Sequence, residues 1–150
     1  MITNKSKGFT IIELLVVVAI IAVLAAIVLV NVTGYINQGK NAAIKGNLAT
    51  VLTNGAVFYD TTSSYSGFCA SSNFTAPSAA ITSAGGAAIC AANATNTAWC
   101  ACSTLKVTSS EIANSTFCVD STGYKKVTQN VNLCGGAGGR CLAATGACAD

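Results

Sequence analysis

Three features of this 150-residue chain predict an α+β fold, in which a long amino-terminal helix packs on a small antiparallel sheet stapled by disulfides. Residues 9–32 form an almost unbroken apolar run, and an apolar stripe at helical spacing continues to Tyr59. All eight cysteines lie beyond residue 60. Among them are short stretches in which apolar and polar residues alternate, the period of a half-buried strand.

The helix comes first in the chain. At ~1.5 Å per residue the run Phe9 to Val32 reaches ~36 Å, enough to cross a hydrocarbon core of roughly 30 Å. Lys5 and Lys7 on its amino side set the orientation, with the amino terminus in the cytoplasm. Ala22, Ala25 and Ala26 lie inside the run, which argues against secretory cleavage behind it. No cysteine precedes Cys69, so a lipid-attachment site is missing as well. The run holds one acid, Glu13. A carboxylate at mid-membrane costs ~2.5 to 3.5 kcal/mol and less near the interface, so Glu13 asks for a partner. An ordinary signal anchor would let that acid snorkel to the surface, but it would not account for the Gly8-Phe9-Thr10 step in front of the run.

Past the run, Ile44, Leu48, Val51, Leu52, Ala56 and Tyr59 recur every three to four residues, with Lys40, Lys45, Asn47 and Asn54 between them. This is the face that packs on a head. The helix is expected from Phe9 to about Tyr59, ~75 Å long, which suits a filament or stalk better than a small globular domain. Gly34, Gly39, Gly46 and Gly55 each cost ~1 kcal/mol relative to alanine, making the part after Val32 the weaker half. Local melting in an assembled form is expected near Gly34 to Gly39.

Gly8-Phe9-Thr10-Ile11-Ile12-Glu13-Leu14-Leu15-Val16-Val17, behind a short basic leader, resembles the prepilin signature of type IV pilins and of type II secretion pseudopilins. The specific match covers roughly the first thirty residues. Beyond them the likeness is one of layout, a long helix followed by a small head, and it implies a pilin-like fold. The resemblance divides the chain into a leader peptide (1–8), a long helix (9–59, of which 9–32 is the transmembrane and filament-core part) and a disulfide-rich head (60–150). It implies that a membrane peptidase cuts after Gly8, that Phe9 becomes the N-methylated terminus, and that Glu13 attracts the terminal amine of a neighbouring subunit during assembly. Many relatives carry a proline late in the run and a glycine midway, where this chain has Val30 and Ala22.

The head is rich in Ala, Ser, Thr, Gly and Asn and poor in large apolar side chains, so its core needs covalent support. Cys69, Cys90, Cys100, Cys102, Cys118, Cys134, Cys141 and Cys148 fall outside the cytoplasm in this topology, where disulfides persist. Eight cysteines allow 105 complete pairings. Metal binding is disfavoured: the chain has neither a CxxC pair nor a histidine. In the stretch AWCACSTLKV, Trp99, Ala101, Ser103, Leu105 and Val107 alternate with Cys100, Cys102, Thr104 and Lys106. Cys100 and Cys102 therefore share a face and each should reach a different loop. FCVDSTGYKKV reads as a hairpin that turns over Asp120 to Gly123. The apolar face of this sheet should cover the helix stripe, with its outer face tied to the loop carrying Cys134, Cys141 and Cys148. In the resembled family a disulfide-bounded region near the carboxy terminus is common.

No cofactor and no catalytic residue are expected. Asp60, Glu111 and Asp120 are scattered and a histidine base is absent. Some pseudopilins bind calcium, but no D-x-D cluster occurs here. CGGAGGRC lacks the lysine of a phosphate cradle and reads as structural. The sequons at Asn73 and Asn93 are assigned no role. Loss of Lys5 and Lys7 with the leader leaves six basic against five acidic side chains. Nucleic acid is thus a possible but unsupported partner; Tyr124, Lys125, Lys126 and Arg140 read as a solvated strand edge.

The sequence reading is a structural subunit of a type IV pilus-like filament, anchored in the cytoplasmic membrane as a precursor and later extracellular. Its partners would be other copies, the prepilin peptidase, an assembly ATPase and a membrane platform protein. Two alternatives compete: a pseudopilin or minor pilin, and a disulfide-rich surface binding module on an uncleaved signal anchor.

Overall fold

The computed structural model describes residues 8–129, 134 and 141–148, with the helical backbone alone at 29–31. Helix α1 runs over Ile11–Thr62, starting two residues later and ending three later than expected from the sequence. The chain divides into two units, residues 1–35 and 36–150.

In the first unit α1 is apolar on all sides. Ile11, Ile12, Leu15, Val18, Ile21, Leu24, Ile27 and Val28 are all more than half exposed. A helix with no polar face has no stable side to offer water. It is long and apolar enough to cross a membrane by length and composition.

In the second unit α1 carries the head. A short 3-10 turn (Phe68–Ala70) leads into α2 (Ser72–Ser83), followed by β1 (Ala88–Ala92), β2 (Trp99–Thr104), β3 (Thr116–Asp120) and β4 (Lys125–Thr128). These strands form an antiparallel sheet in the order β1-β2-β3-β4. The last two strands, β5 (Cys141–Leu142) and β6 (Ala147–Cys148), form a small separate hairpin. Strand alternation sorts the sheet into two faces. Trp99, Ala101 and Val119 join Ile44, Leu48 and Val51 of α1, together with Phe68, Phe74 and Ile81, in the apolar core. Cys100, Cys102 and Cys118 point the other way and pack with Cys134 and Cys141. The α+β fold and its helix-facing sheet are as the alternation predicted.

Three details depart from that reading. Ala56 and Tyr59 are exposed, and the buried stripe runs instead through Ile44, Leu48, Val51, Gly55 and the half-buried Phe58. This is a spacing of four and three, which keeps closer to one helix face than a stripe through Ala56 does. Val107 is exposed because β2 stops at Thr104, after which the chain is drawn onto α1: Asn41 both donates to the Lys106 carbonyl (2.8 Å) and accepts from its N–H (2.7 Å). Helix α2 was hidden by its Ser/Thr content and by Pro77, although Phe74, Pro77 and Ile81 carry a helical spacing and are buried.

Pro77 sits inside α2 without an N–H to give to Asn73 four residues earlier. The orphaned Asn73 carbonyl accepts from Asn54 Nδ2 of α1 at 2.8 Å, so the defect in one helix is repaired by a side chain of the other.

Candidate processing and assembly site

The start of α1 is built by two residues. Thr10 is non-helical, and its carbonyl accepts the N–H of Leu14 at 3.2 Å, which makes it the N-cap. Its hydroxyl accepts the N–H of Glu13 at 3.3 Å. In return, Glu13 Oε2 accepts from the Thr10 N–H at 2.9 Å and from the Thr10 hydroxyl at 2.8 Å. This is a capping box, in which each residue satisfies an orphan donor of the other. The T-x-x-E spacing that encodes it is plain in the sequence, where Thr10 otherwise stands only as part of the Gly8-to-Val17 motif.

Gly8 and Phe9 precede the cap in exposed, non-helical backbone, and Phe9 is 75% exposed. A Cβ built on Gly8 would meet nothing within 4 Å. The packing of this chain therefore places no demand for glycine there. The structure brings Gly8, Phe9 and Glu13 together at one end of α1. Glu13 is held by neutral donors, and among the described residues no cation pairs with it. Among these residues its charge is oriented and not compensated. Lys5 and Lys7 lie outside the described residues.

The eight cysteines pair as Cys69–Cys90, Cys100–Cys141, Cys102–Cys134 and Cys118–Cys148. The last three tie the outer face of the sheet to the carboxy-terminal segment, and Cys100 and Cys102 reach different points of it. Cys69–Cys90 instead joins the 3-10 turn to β1 beside the inner core. Of the candidate basic edge, Lys125 and Lys126 are exposed on β4, whereas Tyr124 packs against the cysteine cluster and Arg140 lies outside the described residues.

The loop after β2 is anchored to α1 by charge as well. Lys45 pairs with Glu111, which is 7% exposed and also accepts from Ser110 and Thr108. The hydrogen bond from Lys45, followed by those from Thr108 and Ser110, holds the Glu111 carboxyl down at about 2 against the cost of its burial. Such an ion pair has the character of a structural clasp, and among the described residues no further titratable group joins it.

A long amino-terminal helix, apolar and capped at its start, that carries a disulfide-stapled antiparallel sheet fits an α+β pilin-like fold. Residues 3–29 match the family model of the prokaryotic N-terminal methylation motif. A type IV major alpha-pilin and fimbrial protein Q, both of Moraxella bovis, are each 48% identical over 46 residues, covering 31% of this chain and 29% of theirs. Type IV major pilin protein PilA of Myxococcus xanthus (strain DK1622) is 39% identical over 64 residues, covering 43% of this chain and 29% of that protein. The matches thus span less than a third of the length of these relatives. No solved structure matches the chain. The resemblance to type IV pilins seen in Gly8 to Val17 is borne out by these relatives.

Proposed function

We propose that the chain is a structural subunit of a type IV pilus-like filament and not an enzyme. Its precursor is anchored in the cytoplasmic membrane by the first part of α1, with the amino terminus on the cytoplasmic side. A prepilin peptidase removes residues 1–8, the new Phe9 terminus is N-methylated, and an assembly ATPase and a platform protein drive the subunit into an extracellular homopolymer. One observation carries this reading: a glycine that the chain's own packing does not require stands just before a capped helix whose first part is apolar all round and holds one acid, Glu13, oriented and, among the described residues, without a cationic partner. A helix of that kind has its surface buried either by lipid or by other copies of itself.

The deciding experiment is intact-mass and amino-terminal peptide analysis of protein sheared from the cell surface, under non-reducing conditions. The expected product begins at methylated Phe9 and is lighter by the hydrogens of eight thiols. A chain retained in the membrane with Met1 in place would favour the signal-anchored binding module instead. Mature chain found only in the cell envelope, without filaments, would point to a pseudopilin or minor pilin.

A further inference from the structure

The bond cut in the proposed processing lies just outside α1, on the amino side of the Thr10 cap. We propose that Thr10 is a positioning residue for leader removal: its cap starts the helix at Ile11 and thereby leaves the Gly8–Phe9 peptide bond in non-helical backbone, accessible to a protease. The inference rests on the reading that the chain is cut after Gly8.

Thr10 commits each of its polar groups to this stop. The carbonyl takes the N–H of Leu14, the N–H and hydroxyl bind Glu13 Oε2, and the hydroxyl oxygen takes the N–H of Glu13. The helical bonds from Ile11 onward do not by themselves fix where the helix starts, because a helix can add a residue at its amino end wherever no cap opposes it. Adding Phe9 and Gly8 would tie their peptide groups into the helical ladder, whereas proteases cut exposed and irregular backbone. Gly8 acts in the same direction, since glycine is a poor helix former and nothing around it calls for the missing Cβ. Cleavage adds water across the Gly8 carbonyl carbon and the Phe9 nitrogen, leaving a Gly8 carboxylate and a Phe9 ammonium. The new ammonium then lies one residue from the cap, at the end of the helix where Glu13 is held.

The test follows leader loss from the full chain, produced in membranes together with the prepilin peptidase, by pulse labelling and amino-terminal peptide mass. Carbonate extraction reports insertion of each variant. Thr10→Ser and Thr10→Asn keep a cap and are expected to lose the leader within about twofold of the wild-type rate. Thr10→Val and Thr10→Ala lose the cap and should be slower by about fivefold, which corresponds to ~1 kcal/mol at 1.4 kcal/mol per factor of ten. Wild-type rates for both uncapped variants would overturn the proposal. So would a Thr10→Asn chain that inserts normally but is cut as slowly as Thr10→Val, because the peptidase would then be reading the threonine itself. A wild-type chain left uncut would remove the functional reading beneath this inference, a result distinct from any of the rate differences.

Discussion

Gly55 shows how one missing side chain sets the fit between helix and sheet. A Cβ there would lie 2.5 Å from Trp99 Cζ2 and 2.8 Å from Nε1, so the indole, fully buried against Phe68 at a ring separation of 4.7 Å, would have to shift. Gly55→Ala is therefore expected to destabilise the head by ~1 to 3 kcal/mol through overpacking, even though alanine is the better helix former. Trp99 is the one tryptophan, so its fluorescence during thermal unfolding in detergent reads the change directly; an unchanged midpoint would mean that the indole has room. Asn54 beside it acts on α2 through a single hydrogen bond. Asn54→Ala leaves the Asn73 carbonyl with neither Pro77 nor Asn54 to bind it, at a cost of ~1 to 3 kcal/mol in the same assay. Glu111 supplies the pH dependence. Its carboxyl is depressed from 4.5 to about 2, so its contribution is fully present above the unfolded value and is lost as pH falls through the folded one. Head stability should decline between about pH 4.5 and about pH 2 on this account. Glu111→Gln should flatten that part of the curve, and an equally steep loss in the variant would transfer the effect to other carboxylates.

Among the elements, the sheet is held differently on its two faces. The inner face packs against α1 and α2 through apolar side chains, while the outer face holds the carboxy-terminal segment through three disulfides, one to Cys134, one to β5 and one to β6, and through the Cys148 N–H donating to Asp120 Oδ2 at 3.0 Å. These bonds close spans of 30, 32 and 41 residues, for which chain entropy gives roughly 3 to 4 kcal/mol each. Reduction is accordingly expected to free Ala147 and Cys148 to amide exchange before the Trp99 environment changes. Simultaneous loss of both signals would show that the outer staples also support the inner core. This division was legible in the sequence because Trp99 to Leu105 alternates so regularly that the cysteines fall on one side and the core residues on the other. The pairing itself was not, since nothing in residue spacing tells Cys141 from Cys134 as the mate of Cys100. Helix α2 was obscured for a different reason: its proline defect is repaired by Asn54 in another helix, and one segment read alone carries no sign of that. At the candidate site Gly8, Phe9 and Glu13 stood out by type and spacing, but Thr10 was read as part of a motif and not for the hydrogen bonds it makes.

At the scale of the whole molecule, the apolar surface of the first part of α1 and the charge of Glu13 impose separate conditions on any environment this chain enters. Lipid satisfies the surface and leaves the charge exposed to a low dielectric, where an unpaired carboxylate is costly. Packing against other copies satisfies the same surface and, with the proposed leader removal, can bring a terminal ammonium to each carboxylate. The capping box does not compete with that pairing, because Thr10 offers neutral donors and orients Glu13 without cancelling its charge. Glu13→Ala should therefore still be inserted and cut, yet yield at least tenfold less sheared filament than wild type, on the order of 1.4 kcal/mol or more per subunit added. Glu13→Gln separates the two roles, since glutamine at this position of a capping box can still reach back to Thr10 but carries no charge. If Glu13→Gln assembles as poorly as Glu13→Ala, charge pairing drives the step; if it assembles like wild type, helix capping was the requirement and the ion-pair account is wrong.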